Sequence, residues 1–197
     1  MSNIVDFRSH LPYAPADPAS HAAVPQPLPT DVLVDIAAGL ATARPLWEPA
    51  LDVAPDRRGH VRILATDAYE AWLITWPVGH GVDLHDHGGS TGVIAVAEGS
   101  LVEIDALGDG SFTTTRVDAG NTHVVPPERV HDVINTGTAP AISIHVYSPP
   151  LTSMTFYDPD GVGEVRTQVV FPEDPALAPS VAAQALHPSR YRALGDA

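Results

Sequence analysis

The chain has 197 residues and carries 24 acidic against 10 basic ones, a formal charge of −14. Nucleic acid and anionic membranes are excluded as partners, because both demand clustered cations. There is no cysteine and every basic residue is arginine, which removes disulfides, thiolate ligands, iron–sulfur clusters, a cysteine nucleophile and a Schiff-base lysine.

In chain order, residues 1–29 read as a flexible arm, since Pro12, Pro15, Pro18, Pro25, Pro27 and Pro29 leave little apolar periodicity. No basic-then-apolar leader and no run of roughly 18 apolar residues occurs, so a soluble, cytoplasmic monomer is expected. A single domain is expected over 30–171. It opens with a helical segment in which Thr30 caps a helix, Leu33, Ile36, Ala37 and Leu40 recur at helical spacing, and Pro45 ends the run. The pattern then shortens to strands. Val61–Leu64 and Tyr69–Trp76 flank Thr66-Asp67-Ala68, and Val93–Ala97 and Leu101–Ile104 flank Glu98-Gly99-Ser100. Phe112–Val117, Thr122–Val125, His131–Asn135, Ile142–Tyr147 and Val165–Phe171 follow. Short strands at regular spacing with Gly or Pro turns, and no βαβ alternation, predict an all-β sandwich or barrel. Residues 172–197, rich in Ala and Pro, read as a tail.

His85 and His87 are separated by one residue. On an extended strand both imidazoles project to one side and Asp86 to the other. His131 lies on a later strand, after Gly120 and the Pro126-Pro127 turn, where a barrel would bring it opposite the pair. Three imidazoles suit zinc, iron, copper or nickel and leave positions open for chemistry. The pair sits within Gly79-x5-His85-x-His87, with Gly99 beyond, and a second block reads Gly120-x5-Pro126-x4-His131-x3-Asn135. These blocks resemble the two motifs of the cupin superfamily. The resemblance implies an all-β, double-stranded β-helix (jelly-roll) barrel holding one divalent metal. Glu128 departs from the usual glycine of the second motif, and Gly92 stands where many cupins place a glutamate ligand. Three neutral imidazoles leave the ion its full double-positive charge and favour a substrate that brings its own anionic ligand.

Ser143, His145 and Tyr147 alternate within Ala141-Ile-Ser-Ile-His-Val-Tyr-Ser-Pro-Pro150. Period two places them on one strand face, with Ile142, Ile144 and Val146 on the other. Such a row is either a polar, solvent-facing strand face or a hydrogen-bond relay that holds a tyrosine proton in place. Here the chain resembles the cysteine dioxygenases, the thiol-dioxygenase branch of the cupins. The residues that carry the likeness are His85-Asp86-His87-Gly88-Gly89-Ser90, His131 with Asn135, and Ser143-Ile-His145-Val-Tyr147-Ser148-Pro149-Pro150.

That resemblance implies one iron(II) per chain on His85, His87 and His131, with both atoms of O2 inserted into a thiol to give a sulfinate. It implies catalytic roles for Tyr147, His145 and Ser143, substrate contacts from Arg62 and Tyr147, and a cis Ser148-Pro149 bond. Arg62 falls where the family holds the substrate carboxylate, a task that suits a permanently charged fork; Arg57 and Arg58 lie close by. With no cysteine, the Cys–Tyr thioether of the animal enzymes is impossible, as in the bacterial type. L-Cysteine is the expected substrate, with 3-mercaptopropionate or another small thiol as the alternative. A zinc hydrolase and a non-catalytic small-molecule-binding cupin are rival readings. Gly88-x-Ser90-x-Gly92 fits a nucleophile elbow, but that elbow requires a strand leading into a helix, and Val93–Ala97 reads as a strand.

Overall fold

A computed structural model of the chain describes residues 26–54, 56–158 and the backbone of 165–170. Residues 1–25 of the expected arm and all of the expected tail lie outside the described residues. The helix α1 spans Thr30–Thr42 and buries Leu33 and Ala37. Its entry differs from expectation. Pro29, extended at φ −53° and ψ 140°, precedes the first turn, and its carbonyl accepts the Leu33 N–H at 3.0 Å. Thr30 is already helical and caps nothing with its side chain. Pro45 also does more than stop α1: it sits in the first turn of a short helix, α2 (Arg44–Trp47), where a missing N–H costs no hydrogen bond.

The strands are β1 (Gly59–Ala65), β2 (Glu70–Trp76), β3 (Gly81–His85), β4 (Thr91–Glu98), β5 (Ser100–Ala106), β6 (Phe112–Asp118), β7 (Thr122–Val125), β8 (His131–Ile134), β9 (Ala141–Ser148), β10 (Ser153–Tyr157) and β11 (Val165–Val170). They form two antiparallel sheets, ordered β1-β2-β9-β4-β7 and β11-β10-β3-β8-β5-β6. The double-stranded β-helix is therefore two facing walls rather than one closed ring of ladders. β10 is not among the strands expected from the sequence.

Period two divides the apolar residues between two layers. Trp72, Ile74, Trp76, Ile94 and Val96 from one sheet meet Val82, Leu101, Val117, Val133 and Phe156 from the other. The alternate residues, Leu73, Val93, Ala95, Ile142, Ile144 and Val146, pack outward against Leu33, Ala37 and Trp47 of the helical segment. The helix thus covers the outer face of the five-stranded sheet. Ile144 is fully buried in that layer, so Ile144→Ala is expected to lower the unfolding free energy by about 2–5 kcal/mol. Denaturant unfolding measures this, and a loss below about 1 kcal/mol would refute tight packing of the layer.

The turn at Gly99 does not pair the two strands that flank it. β4 pairs with β9 and β7, whereas β5 pairs with β8 and β6, so Gly99 carries the chain from one wall to the other. Its φ is +75°, and a Cβ there would lie 2.9 Å from the Ala141 Cβ, so both conformation and space require glycine. A turn signal is local and looks the same for a hairpin and for a crossing between sheets. No helix among the described residues is long and apolar enough to cross a membrane.

Candidate metal centre

β3 and β8 run side by side, with His85 directly opposite His131 in the ladder. The two imidazoles lie 4.6 Å apart between ring centres. β3 ends at His85, so His87 stands in the turn beyond the strand rather than on it. Its side of the chain is kept by Asp86. The Asp86 N–H donates to the Thr155 carbonyl (3.0 Å), and the Tyr157 hydroxyl donates to Asp86 Oδ2 (2.6 Å). Anchored to β10 in this way, Asp86 points away while His87 turns back to within 5.1 Å of His85 and 4.9 Å of His131.

One ligand atom from each of these histidines lies within 4.8 Å of the others, and all three residues are buried. Their remaining nitrogens show which atoms are free to bind. His85 Nδ1–H donates to the Asp83 carbonyl at 2.8 Å, and His131 Nδ1–H donates to Glu103 Oε1 at 2.6 Å. Both rings therefore present the Nε2 lone pair. His87 Nε2 faces His131 Nε2 at 3.3 Å, and its buried Nδ1 has no partner. Burial, reinforced by neighbouring His131, holds His85 and His87 well below the ordinary histidine range, so both are neutral. Converging neutral imidazole lone pairs are the donor set a borderline divalent metal takes. Gly92 closes the inner wall. A Cβ there would lie 3.2 Å from His87 Nδ1 and from Tyr147 Cε1, so a carboxylate ligand at this position would have to displace both rings.

Ser143, His145 and Tyr147 are all buried and so are not a solvent-facing strand face. Tyr147 meets His87 edge-on at 4.7 Å, and its hydroxyl lies 3.2 Å from His145 Nδ1. Burial and the Arg58 cation push His145 down to about 3, so it is neutral; burial and Glu70 push the Tyr147 phenol up. The link expected from Ser143 to His145 is not among the hydrogen bonds of the described residues. Ser143 Oγ instead accepts the Trp76 indole N–H at 2.8 Å, and Trp76 stacks on His145 at 5.8 Å. Asn135 ties down the same tryptophan by donating to its carbonyl at 2.9 Å. Ser148-Pro149 is cis, as expected.

The nearby arginines separate by environment. Arg57 is exposed and pairs with Asp52 at 2.7 Å. Arg62 is opposite Trp72 in the β1–β2 ladder, and Trp72 is opposite His145 in the next. Its guanidinium lies 5.7 Å from the Trp72 ring centre and donates to buried Glu70 at 3.1 Å. Arg58 is the buried one: it stacks on Trp76 at 4.8 Å, and burial lowers its pKa to about 10, which leaves it charged at neutral pH.

Sequence reading gave no role to Trp76 or Glu70, named Arg58 only as a neighbour of Arg62, and passed over a carboxylate behind His131. Glu103 is buried on β5 and contacts His131 on one side and His123 on the other. Burial alone would raise its pKa, but the two histidine contacts outweigh it and pull the carboxyl down to about 2. The available signal was Leu101, Glu103 and Asp105 alternating on one strand, an acidic continuation of a core-facing row.

The family described as Cysteine dioxygenase type I matches residues 37–160. A conserved double-stranded β-helix protein from Klebsiella pneumoniae subsp. pneumoniae superposes with a TM-score of 0.50 at 18% identity, covering 56% of this chain and 93% of its own, a likeness of fold. A Thermus thermophilus protein gives 0.47 at 19% identity, covering 52% and 93%. A cupin superfamily protein from Desulfitobacterium hafniense gives 0.45 at 11%, covering 52% and 87%.

Proposed function

The chain belongs to the cysteine dioxygenase type I family, and from that premise we propose that it is an iron(II)-dependent thiol dioxygenase converting L-cysteine and O2 to cysteine sulfinic acid. Both oxygen atoms enter the product: R–SH plus O2 gives R–SO2H. The unit that acts is the domain over 30–171, taken as a cytoplasmic monomer. The observation that supports this reading best is the convergence of three buried imidazoles beside Tyr147.

His85, His87 and His131 would hold the ion through Nε2. When bound, iron(II) supplies the redox chemistry that joins a thiolate to O2. The chain does the rest. Burial strips water from the site and strengthens each polar contact within it. Arg62 orients the substrate carboxylate, with Glu70 and Trp72 holding the guanidinium in place. In its Nδ1–H tautomer His145 would donate to the Tyr147 oxygen 3.2 Å away, leaving the phenolic hydrogen to be directed at the substrate. Trp76 and Ser143 support His145 from behind.

Oxygen uptake and sulfinate yield from iron-loaded protein test the reading, with L-cysteine, 3-mercaptopropionate and cysteamine compared under identical loading. L-Cysteine is expected to lead. Cysteamine, which lacks the carboxylate, is expected to be poor. Arg62→Gln is expected to raise KM for cysteine by roughly 30- to 5000-fold, the equivalent of losing a charge partner worth about 2–5 kcal/mol, and to shift preference toward the amine-free acid. Equal rates with cysteamine and cysteine, or an Arg62→Gln enzyme like wild type, would refute carboxylate recognition by Arg62. No sulfinate from any thiol would sink the dioxygenase reading itself.

A further inference from the structure

We propose that Glu103 is a positioning residue that sets the affinity and reduction potential of the metal through His131, and that His123 braces it from the opposite side. This rests on the reading of His85, His87 and His131 as ligands. Neither Glu103 nor His123 belongs to the motif residues that suggested the centre.

The three candidate ligands differ in what lies behind them. His85 Nδ1–H is held by a backbone carbonyl, His87 Nδ1 has no partner, and His131 Nδ1–H is held by the Glu103 carboxylate. At 2.6 Å the last bond is short and charge-assisted. A carboxylate in that position makes the imidazole a stronger donor and fixes its tautomer and ring plane. Burying a carboxylate is costly unless its oxygens are engaged; Glu103 Oε1 takes the hydrogen bond from His131, while the buried Oε2 has no hydrogen bond and lies in ion-pair contact with His123 Nε2. His123 is the half-buried member, so the brace reaches from the centre to near the surface. Asp105, directly opposite His131 in the β5–β8 ladder, pairs with Arg129 at 2.9 Å and keeps a carboxylate oxygen within 4.8 Å of ligand atoms of Glu103 and His131. Gly92 supplies no carboxylate ligand, and a Cβ there would press on His87 and Tyr147 at 3.2 Å. The negative charge absent from the ligand set is therefore supplied one ring further out, by Glu103.

Glu103→Gln tests this, because the amide keeps the shape and still accepts from His131 but removes the charge. The full-length protein is stripped and reloaded with zinc(II), for affinity, and with iron(II), for potential. The zinc dissociation constant is expected to rise about 10- to 100-fold. The iron midpoint potential is expected to move positive, since iron(III) loses more than iron(II) when a nearby negative charge is removed. A residue that merely fills space would leave both readings at their wild-type values when replaced by its isosteric amide, and that result would overturn the proposal, as would weaker binding with an unmoved potential. His123→Asn is the second variant and is expected to shift both readings in the same direction by less. Should Glu103→Gln fail to fold, an unchanged affinity and potential in His123→Asn would overturn the proposal alone. His131→Ala separates the layers of the argument: if it kept its metal, the ligand reading would fail, whereas metal loss there with an unaffected Glu103→Gln would remove only the role given to Glu103.

Discussion

Alanine at His85, His87 or His131 is expected to remove most of the bound iron and essentially all thiol oxidation. Each residue contributes one of three converging imidazoles, and no carboxylate stands among them to compensate. Losing a partner of a ligand typically costs about 10- to 100-fold in affinity, and losing the ligand itself costs more. The three variants are not equivalent in stability. Removing His87 strands no carboxylate, because its Nδ1 has no partner and its Nε2 faces only His131 Nε2. Removing His131 deprives buried Glu103 of one of its two contacts, which adds a destabilisation of about 1–3 kcal/mol. His131→Ala should therefore unfold at lower denaturant than His87→Ala at equal metal content. Metal analysis after gel filtration, paired with oxygen uptake, checks the first expectation. One variant with full iron and full turnover would defeat the three-histidine assignment.

Tyr147→Phe should leave iron content unchanged while turnover falls by roughly 10- to 1000-fold, the range for one well-placed donor. The substitution keeps the ring that packs edge-on against His87 and removes only the oxygen bonded to His145. Burial and Glu70 both raise the pKa of this phenol. It is protonated, and so able to donate, at every pH below its ordinary value of about 10. A fall in rate on the alkaline side below that value would have to come from another group. If Tyr147→Phe turned over cysteine at the wild-type rate, the Trp76, Ser143, His145 and Tyr147 assembly would be a packing feature and not part of the chemistry.

How much of this was legible beforehand depends on range. The alternation in β9 assigned Ser143, His145 and Tyr147 to one face and Ile142, Ile144 and Val146 to the other, and both faces are seen. Period two cannot say what covers a face. The polar row is buried between two sheets, while the aliphatic row lies under α1, and only the wrapping of the chain distinguishes these from a solvent-facing strand. Gly99 makes the same point: its turn was plain in the sequence, but which sheet the next strand joined was not.

The sequence by itself determined the helix, most strands, the grouping of His85 with His87, and the family through motifs spread over both blocks. These are local properties, set by side-chain periodicity and turn chemistry within a few residues. The tertiary structure alone decided that His131 stands opposite His85, that Trp76 rather than His145 takes the Ser143 oxygen, and that Arg58 is buried while Arg57 is exposed. It also brought Glu103 and His123 together behind His131. Those contacts join residues far apart in the chain or depend on which face is covered. Strand pairing across two sheets determines them, and no local pattern carries that information.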